Sequence, residues 1–107
     1  MIRPTLVTLL FLSSTSAVAG DASGFVNEIS VGNDSTVALF NLTGDNDEPP
    51  RCNETGKYSI LLNTAGGQAA YQALLEAKRN KYIVRVEGTN GCKFYWKAED
   101  VLNLTIQ

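Results

Sequence analysis

The sequence predicts a small, mainly β domain with one α-helix, in the order three strands, helix, three strands. Two features of the chain carry this. After residue 20 its apolar residues recur mostly at every second position, the spacing of half-buried strands. A single stretch, residues 68–79, changes to helical spacing, with apolar Ala70, Ala73, Leu74 and Ala77 on one side and Gln68, Gln72, Glu76 and Arg79 on the other. Polar breaks rich in Gly, Asn, Asp and Pro punctuate these segments. The chain has 107 residues, no internal repeat and no linker, so one domain is expected.

Residues 1–19 are set apart from that domain. Arg3 precedes an uncharged apolar run through Phe11 and Leu12, followed by small residues that end Ala17-Val18-Ala19. This is the three-part pattern of a secretory signal peptide with an A-x-A cleavage site. Its apolar run is well short of the roughly 20 residues that span a bilayer. The expected domain is therefore residues 20–107, secreted or periplasmic, and not membrane-spanning.

The first strand is read over residues 25–31, where Phe25, Ile29 and Val31 alternate with Val26, Glu28 and Ser30. Gly32-Asn33-Asp34-Ser35 supplies a turn, and residues 36–43 return as the second arm of a hairpin. Residues 44–53 are a polar loop whose paired prolines cannot continue a ladder. The third strand, residues 57–62, places Tyr58, Ile60 and Leu62 on one face. Thr64 is the expected N-cap, with Gly66 and Gly67 weakening the first turn and delaying the helix start by a residue or two. Asn80 is the expected left-handed cap. Lys78, Arg79 and Lys81 are read as cations at the negative end of the helix dipole. The fourth strand follows at 82–87, with Val84 and Val86 opposite Arg85 and Glu87. A fifth at 93–97 would bury Phe94 and Trp96 and turn Tyr95 outward. Glu99-Asp100 is read as a turn, and residues 101–106 as the sixth strand, grouping Leu102, Leu104 and Ile106.

A chain of this size has a marginal core and needs a staple. Cys52 and Cys92 are its only cysteines, and export would place them where disulfides persist. Closing a loop of about 40 residues stabilises a fold by roughly 4 kcal/mol in the chain-entropy account. A metal site and a thiol nucleophile are the competing readings. Both are weakened because the chain has no histidine, and two thiols cannot complete a zinc site. No cofactor or metal is expected. The net charge is -2, and -3 once Arg3 leaves with the leader, which argues against nucleic acid, whose phosphates demand clustered Lys and Arg.

Four stretches carry a resemblance: C-N-E-T-G-K-Y-S-I-L-L from residue 52, A-G-G-Q-A-A-Y-Q-A-L-L-E-A-K from 65, V-R-V-E-G-T-N-G-C from 84 and F-Y-W-K-A-E-D-V from 94. With a leader, one helix set midway in a small sheet and a long-range cysteine pair, the chain resembles the OB-fold B subunits of bacterial toxins. Within that group it is most similar to the subtilase cytotoxin B-subunit type and a family of small exported bacterial proteins. The resemblance covers about half the chain. It implies a small OB-fold-like antiparallel barrel or sheet and an exported binding module that takes glycan or another exported protein. No sugar-contacting residue of that family aligns with this chain, so none is carried over.

Catalysis finds little support in the residues. Without histidine there is no Ser-His-Asp or Cys-His arrangement, and a bridged cysteine is no nucleophile. Gly66-Gly67 has neither dinucleotide-fingerprint spacing nor a P-loop lysine. The acidic residues Asp45, Asp47 and Glu48 lack the glycine and twelfth-position glutamate of an EF-hand. Four N-x-S/T triplets, at Asn33, Asn41, Asn53 and Asn103, are read as chance in an Asn- and Thr-rich chain. Two function classes remain. One is a non-enzymatic binding module in which Tyr95, Thr89 and Asn90 receive a ligand, the ring by stacking and the polar groups by hydrogen bonds. The other is a structural or interaction protein without a small ligand, with a monomer favoured slightly over a ring of five.

Overall fold

In the computed structural model, residues 21–33, 36–44 and 49–107 are described. The predicted leader, the tip of the first turn and the acidic residues at 45–48 lie outside them. Six strands and one helix follow in the order β1 (Asp21–Gly24), β2 (Val26–Val31), β3 (Val37–Leu42), β4 (Tyr58–Leu61), α1 (Ala65–Asn80), β5 (Val84–Gly88) and β6 (Glu99–Ile106). The strands lie in the sheet order β1-β5-β6-β4-β3-β2. Every pairing is antiparallel except that of β4 with β6, which corrects the expectation of an all-antiparallel sheet.

The two margins of this sheet, β1 and β2, are one length of chain bent at Phe25. Phe25 stays fastened at the bend, its N–H donating to Thr43 Oγ1 at 3.0 Å and its carbonyl accepting from the Thr43 N–H at 2.9 Å. The sheet thus curls until its margins meet in a single backbone, which is the small barrel-like fold expected. The strand count is also as expected, but its distribution is four before the helix and two after. The segment 21–24 carries one apolar residue, Ala22, too few for alternation to show. It forms β1 because Ala22 seats opposite Val86 in the core.

The hairpin of β2 and β3 forms in the register Ile29↔Phe40 and Ser30↔Leu39. Its inward residues, with Tyr58 and Ile60 of β4 and Val84 and Val86 of β5, make the core. Phe40 and Tyr58 are cross-strand partners whose rings stack with centroids 5.7 Å apart. Helix α1 closes this core with Leu74 and Ala77, both fully buried, while Gln68, Gln72, Glu76 and Arg79 face solvent.

The helix begins at Ala65, directly after its cap and without the delay of a residue or two expected from the glycines. Thr64 is extended, and its Oγ1 accepts the Gly67 N–H at 2.9 Å, so the cap sets the start and the glycines do not delay it. Gly67 is a requirement of space, since a Cβ there would run into the Leu61 carbonyl; at Gly66 the space is open. The left-handed residue at the other end is Lys81, at φ 58°, and not Asn80. Asn80 stays in the helix because its side-chain amide bonds back to the Glu76 carbonyl at 3.0 Å. Lys78 and Arg79 occupy the last turn, where the dipole is negative. Among the described residues no helix is long and apolar enough to cross a membrane.

Candidate functional site

The largest departure from expectation is between β5 and β6. Residues 93–97 form no strand, and β6 starts at Glu99 instead of 101. The cause is a pair of acidic side chains that the sequence reads as a turn. Glu99 and Asp100 are almost wholly buried, at 0% and 2% exposure. Asp100 Oδ1 accepts the backbone N–H groups of Lys93 and Phe94, each at 2.8 Å, and Oδ2 accepts the Thr89 hydroxyl at 3.3 Å. These are donors that a strand at 93–97 would have given to a ladder. Glu99 Oε2 accepts the Asn90 N–H at 3.0 Å, and it lies where a Cβ of Gly88 would stand, so a side chain at 88 would displace the Glu99 carboxyl group. Backbone bonds from Thr89 N–H to the Asp100 carbonyl and from Asp100 N–H to the Gly91 carbonyl complete the clamp.

Beyond the clamp the chain makes a tight turn. The Ala98 N–H donates to the Tyr95 carbonyl at 3.4 Å, and Lys97 takes the left-handed conformation at φ 61°. This turn is fastened from outside by the loop that precedes β4. The Lys97 carbonyl accepts the Thr55 hydroxyl at 2.7 Å and the Thr55 N–H at 3.2 Å, and the Lys97 ammonium pairs with Glu54 at 2.9 Å. Cys52 and Cys92 are bridged between the same two loops, with Cα atoms 6.1 Å apart. The disulfide is thus the staple expected, and there is no free cysteine.

The turn presents Trp96 to solvent. Its exposure is 71%, the largest among the exposed apolar residues, and the Lys97 ammonium stands 4.2 Å from the centre of its ring. The expectation that Trp96 is a core residue is therefore overturned. With 93–97 folded as an anchored loop and a turn, strand alternation no longer assigns its side chains to faces. Phe94 is half-buried, and Tyr95 is 42% exposed.

Of the predicted site residues, Tyr95, Thr89 and Asn90 all lie on this loop and all are exposed. Thr89 is committed to the clamp: its hydroxyl donates to Asp100 and accepts the Gly91 N–H at 3.2 Å. Asn90 has its backbone N–H on Glu99 and a left-handed φ of 73°. No hydrogen bond among the described residues joins the Tyr95 hydroxyl to Thr89 or Asn90. Thr89 and Asn90 are anchored directly on Asp100 and Glu99, and Tyr95 follows Lys93 and Phe94, whose N–H groups Asp100 accepts. Reading the sequence missed Trp96, Lys97, Glu54 and the anchor itself. The F-Y-W run reads as a strand, and nothing in local spacing shows that a later aspartate takes its backbone donors.

Among the described residues no three His, Cys, Asp or Glu side chains converge as a metal site. No protein-family model, no curated protein and no solved structure matches this chain.

Proposed function

We propose that the protein is an exported, non-enzymatic binding module that receives its ligand on the loop between β5 and β6, a role like that of the toxin B subunits it resembles. The observation that carries this reading is Trp96. A large ring left in water on a small domain forfeits the roughly 1.5–3 kcal/mol that burying a big apolar side chain contributes. The loop that carries it is held by a disulfide, a β-turn and two buried carboxyl groups, so little backbone freedom remains to be lost on binding. Glycan is the ligand class we favour. The rings of Trp96 and Tyr95 offer flat surfaces for the apolar side of a sugar, and the Asn90 amide offers a donor and an acceptor to hydroxyls. Thr89, whose hydroxyl is already engaged, positions the loop.

The test is a glycan array probed with the wild-type protein and with Trp96→Ala and Tyr95→Ala. Both substitutions are expected to abolish binding to any glycan the wild type retains, while urea unfolding shifts by less than about 1 kcal/mol, as for exposed positions. Retained binding in both variants would place the receptor surface elsewhere. A structural or ring-forming role without a small ligand is the second reading. The exposed polar stripe on α1 suits a solvated face or a pore, and a sedimentation mass of one subunit at micromolar concentration would remove the ring.

A further inference from the structure

β6 outruns its neighbour on one side. β4 pairs with it only at Tyr58↔Glu99 and Ser59↔Asp100, whereas β5 accompanies it as far as Ile106. From Val101 onward, among the described residues, no strand lies along the edge of β6 that faces away from β5. Helix α1 does not fill the gap. A groove of about 520 Å³ runs there, with Leu61 at the end of β4, a wall of Ala69, Ala70 and Ala73 on α1, and β6 on the far side.

Two further features mark this groove. Glu87 pairs with Asn103 and Gly88 with Val101, so Leu102 is the extra residue of a β-bulge. Bulges re-aim side chains at barrel rims, and Leu102 lines the groove at 62% exposure. No residue lining the groove is charged, in a chain with 19% charged residues.

We propose that the groove receives an extended peptide segment with uncharged, apolar side chains, contributed by another protein, which adds as a strand to the free edge of β6 over residues 101–106. An edge of this kind presents a row of N–H and C=O groups that a further strand satisfies. Six residues of strand span roughly 20 Å, and an incoming strand would sit about 4.8 Å from β6, between it and α1. The alanine wall leaves room for every second side chain of the guest. A charged side chain facing that wall would be desolvated with nothing to pair with. A lipid chain could fill the same volume but would leave the edge of β6 unsatisfied. A second copy is a poorer guest. β2, also paired on one side only, is bulged at Asn27, so Val26 and Ile29 share a face that packs in its own core, and its other face would bring Glu28 and Ser30 to the wall.

The probe is an end-blocked, fluorescein-labelled hexapeptide of alternating valine and threonine, titrated with the purified protein and read by fluorescence anisotropy. Saturable binding is expected. N-methylation of one alternate set of its residues should weaken binding about tenfold, and methylation of the other set should leave it unchanged, because only one edge of the guest meets β6. Ala69→Phe, on the exposed side of the groove wall, should also weaken it about tenfold with an unchanged thermal unfolding curve. The methylation arms use wild-type protein and stand even if that variant unfolds. Absence of peptide binding, equal affinity for both methylated forms and the parent, displacement of the peptide by laurate, or a wild-type dimer in sedimentation that Ala69→Phe dissociates would each overturn the proposal.

Discussion

Tyr58 and Trp96 are large rings of comparable apolar character with opposite fates, and the backbone beside each decides which. Tyr58 sits on a strand with partners on both sides and is 2% exposed, stacked on Phe40. Trp96 sits on a turn whose neighbours have given their N–H groups to Asp100. Truncating Tyr58 to alanine should cost roughly 3–5 kcal/mol in urea unfolding, as for buried aromatics. Asp100 is the residue on which the loop depends most. Asp100→Ala would leave the Lys93 and Phe94 N–H groups, and the Thr89 hydroxyl, without their acceptor. These donors are only part-buried and water can replace some of the lost bonds, so a total loss of about 1–3 kcal/mol is expected, with Asp100→Asn losing less because one oxygen remains. Limited proteolysis should then cut within residues 89–98 first; an unchanged digestion pattern would show that the disulfide alone holds the loop.

At the scale of elements, legibility followed periodicity. The hairpin of β2 and β3, the helix and β5 each repeat an apolar spacing over several residues, and each was found within a few residues of where that spacing put it. β1 is four residues long with one apolar side chain, and it exists only because β5 is there to receive it. The supposed strand at 93–97 had the right spacing but lost its donors to an aspartate beyond it in the sequence. The candidate site was legible to the extent that Thr89, Asn90 and Tyr95 fall on one loop. Trp96 was not, because its exposure is decided by that long-range capture. The helix start offers a sharp check, since Gly66 and Gly67 are adjacent and look alike in sequence. Gly66→Ala should stabilise by about 0.5–1 kcal/mol through backbone entropy. Gly67→Ala should destabilise by roughly 1–3 kcal/mol, because helix and strand must part to admit the methyl group. If both shift the melting curve the same way, the contact with Leu61 is not what fixes the corner.

At the scale of the whole molecule, the disulfide joins the loop before β4 to the loop before β6, so it fastens one rim of the barrel. Thiol labelling of the unreduced protein should find no free thiol, and reduction should lower stability by up to about 4 kcal/mol. Two reactive thiols per native chain would contradict the bridge. The bend at Phe25 has a consequence in time as well as in space. The segment that forms both margins of the sheet comes first among the described residues, yet Asp21 waits for Glu87 and Val26 for Leu42. A chain emerging N-terminus first can zip β2 to β3 early, but it cannot seat β1 until nearly all of it is free. Such dependence on distant pairings puts folding in the slow range for a small domain, roughly milliseconds to seconds. It also keeps the emerging polypeptide incomplete, and therefore threadable, until its final third has appeared.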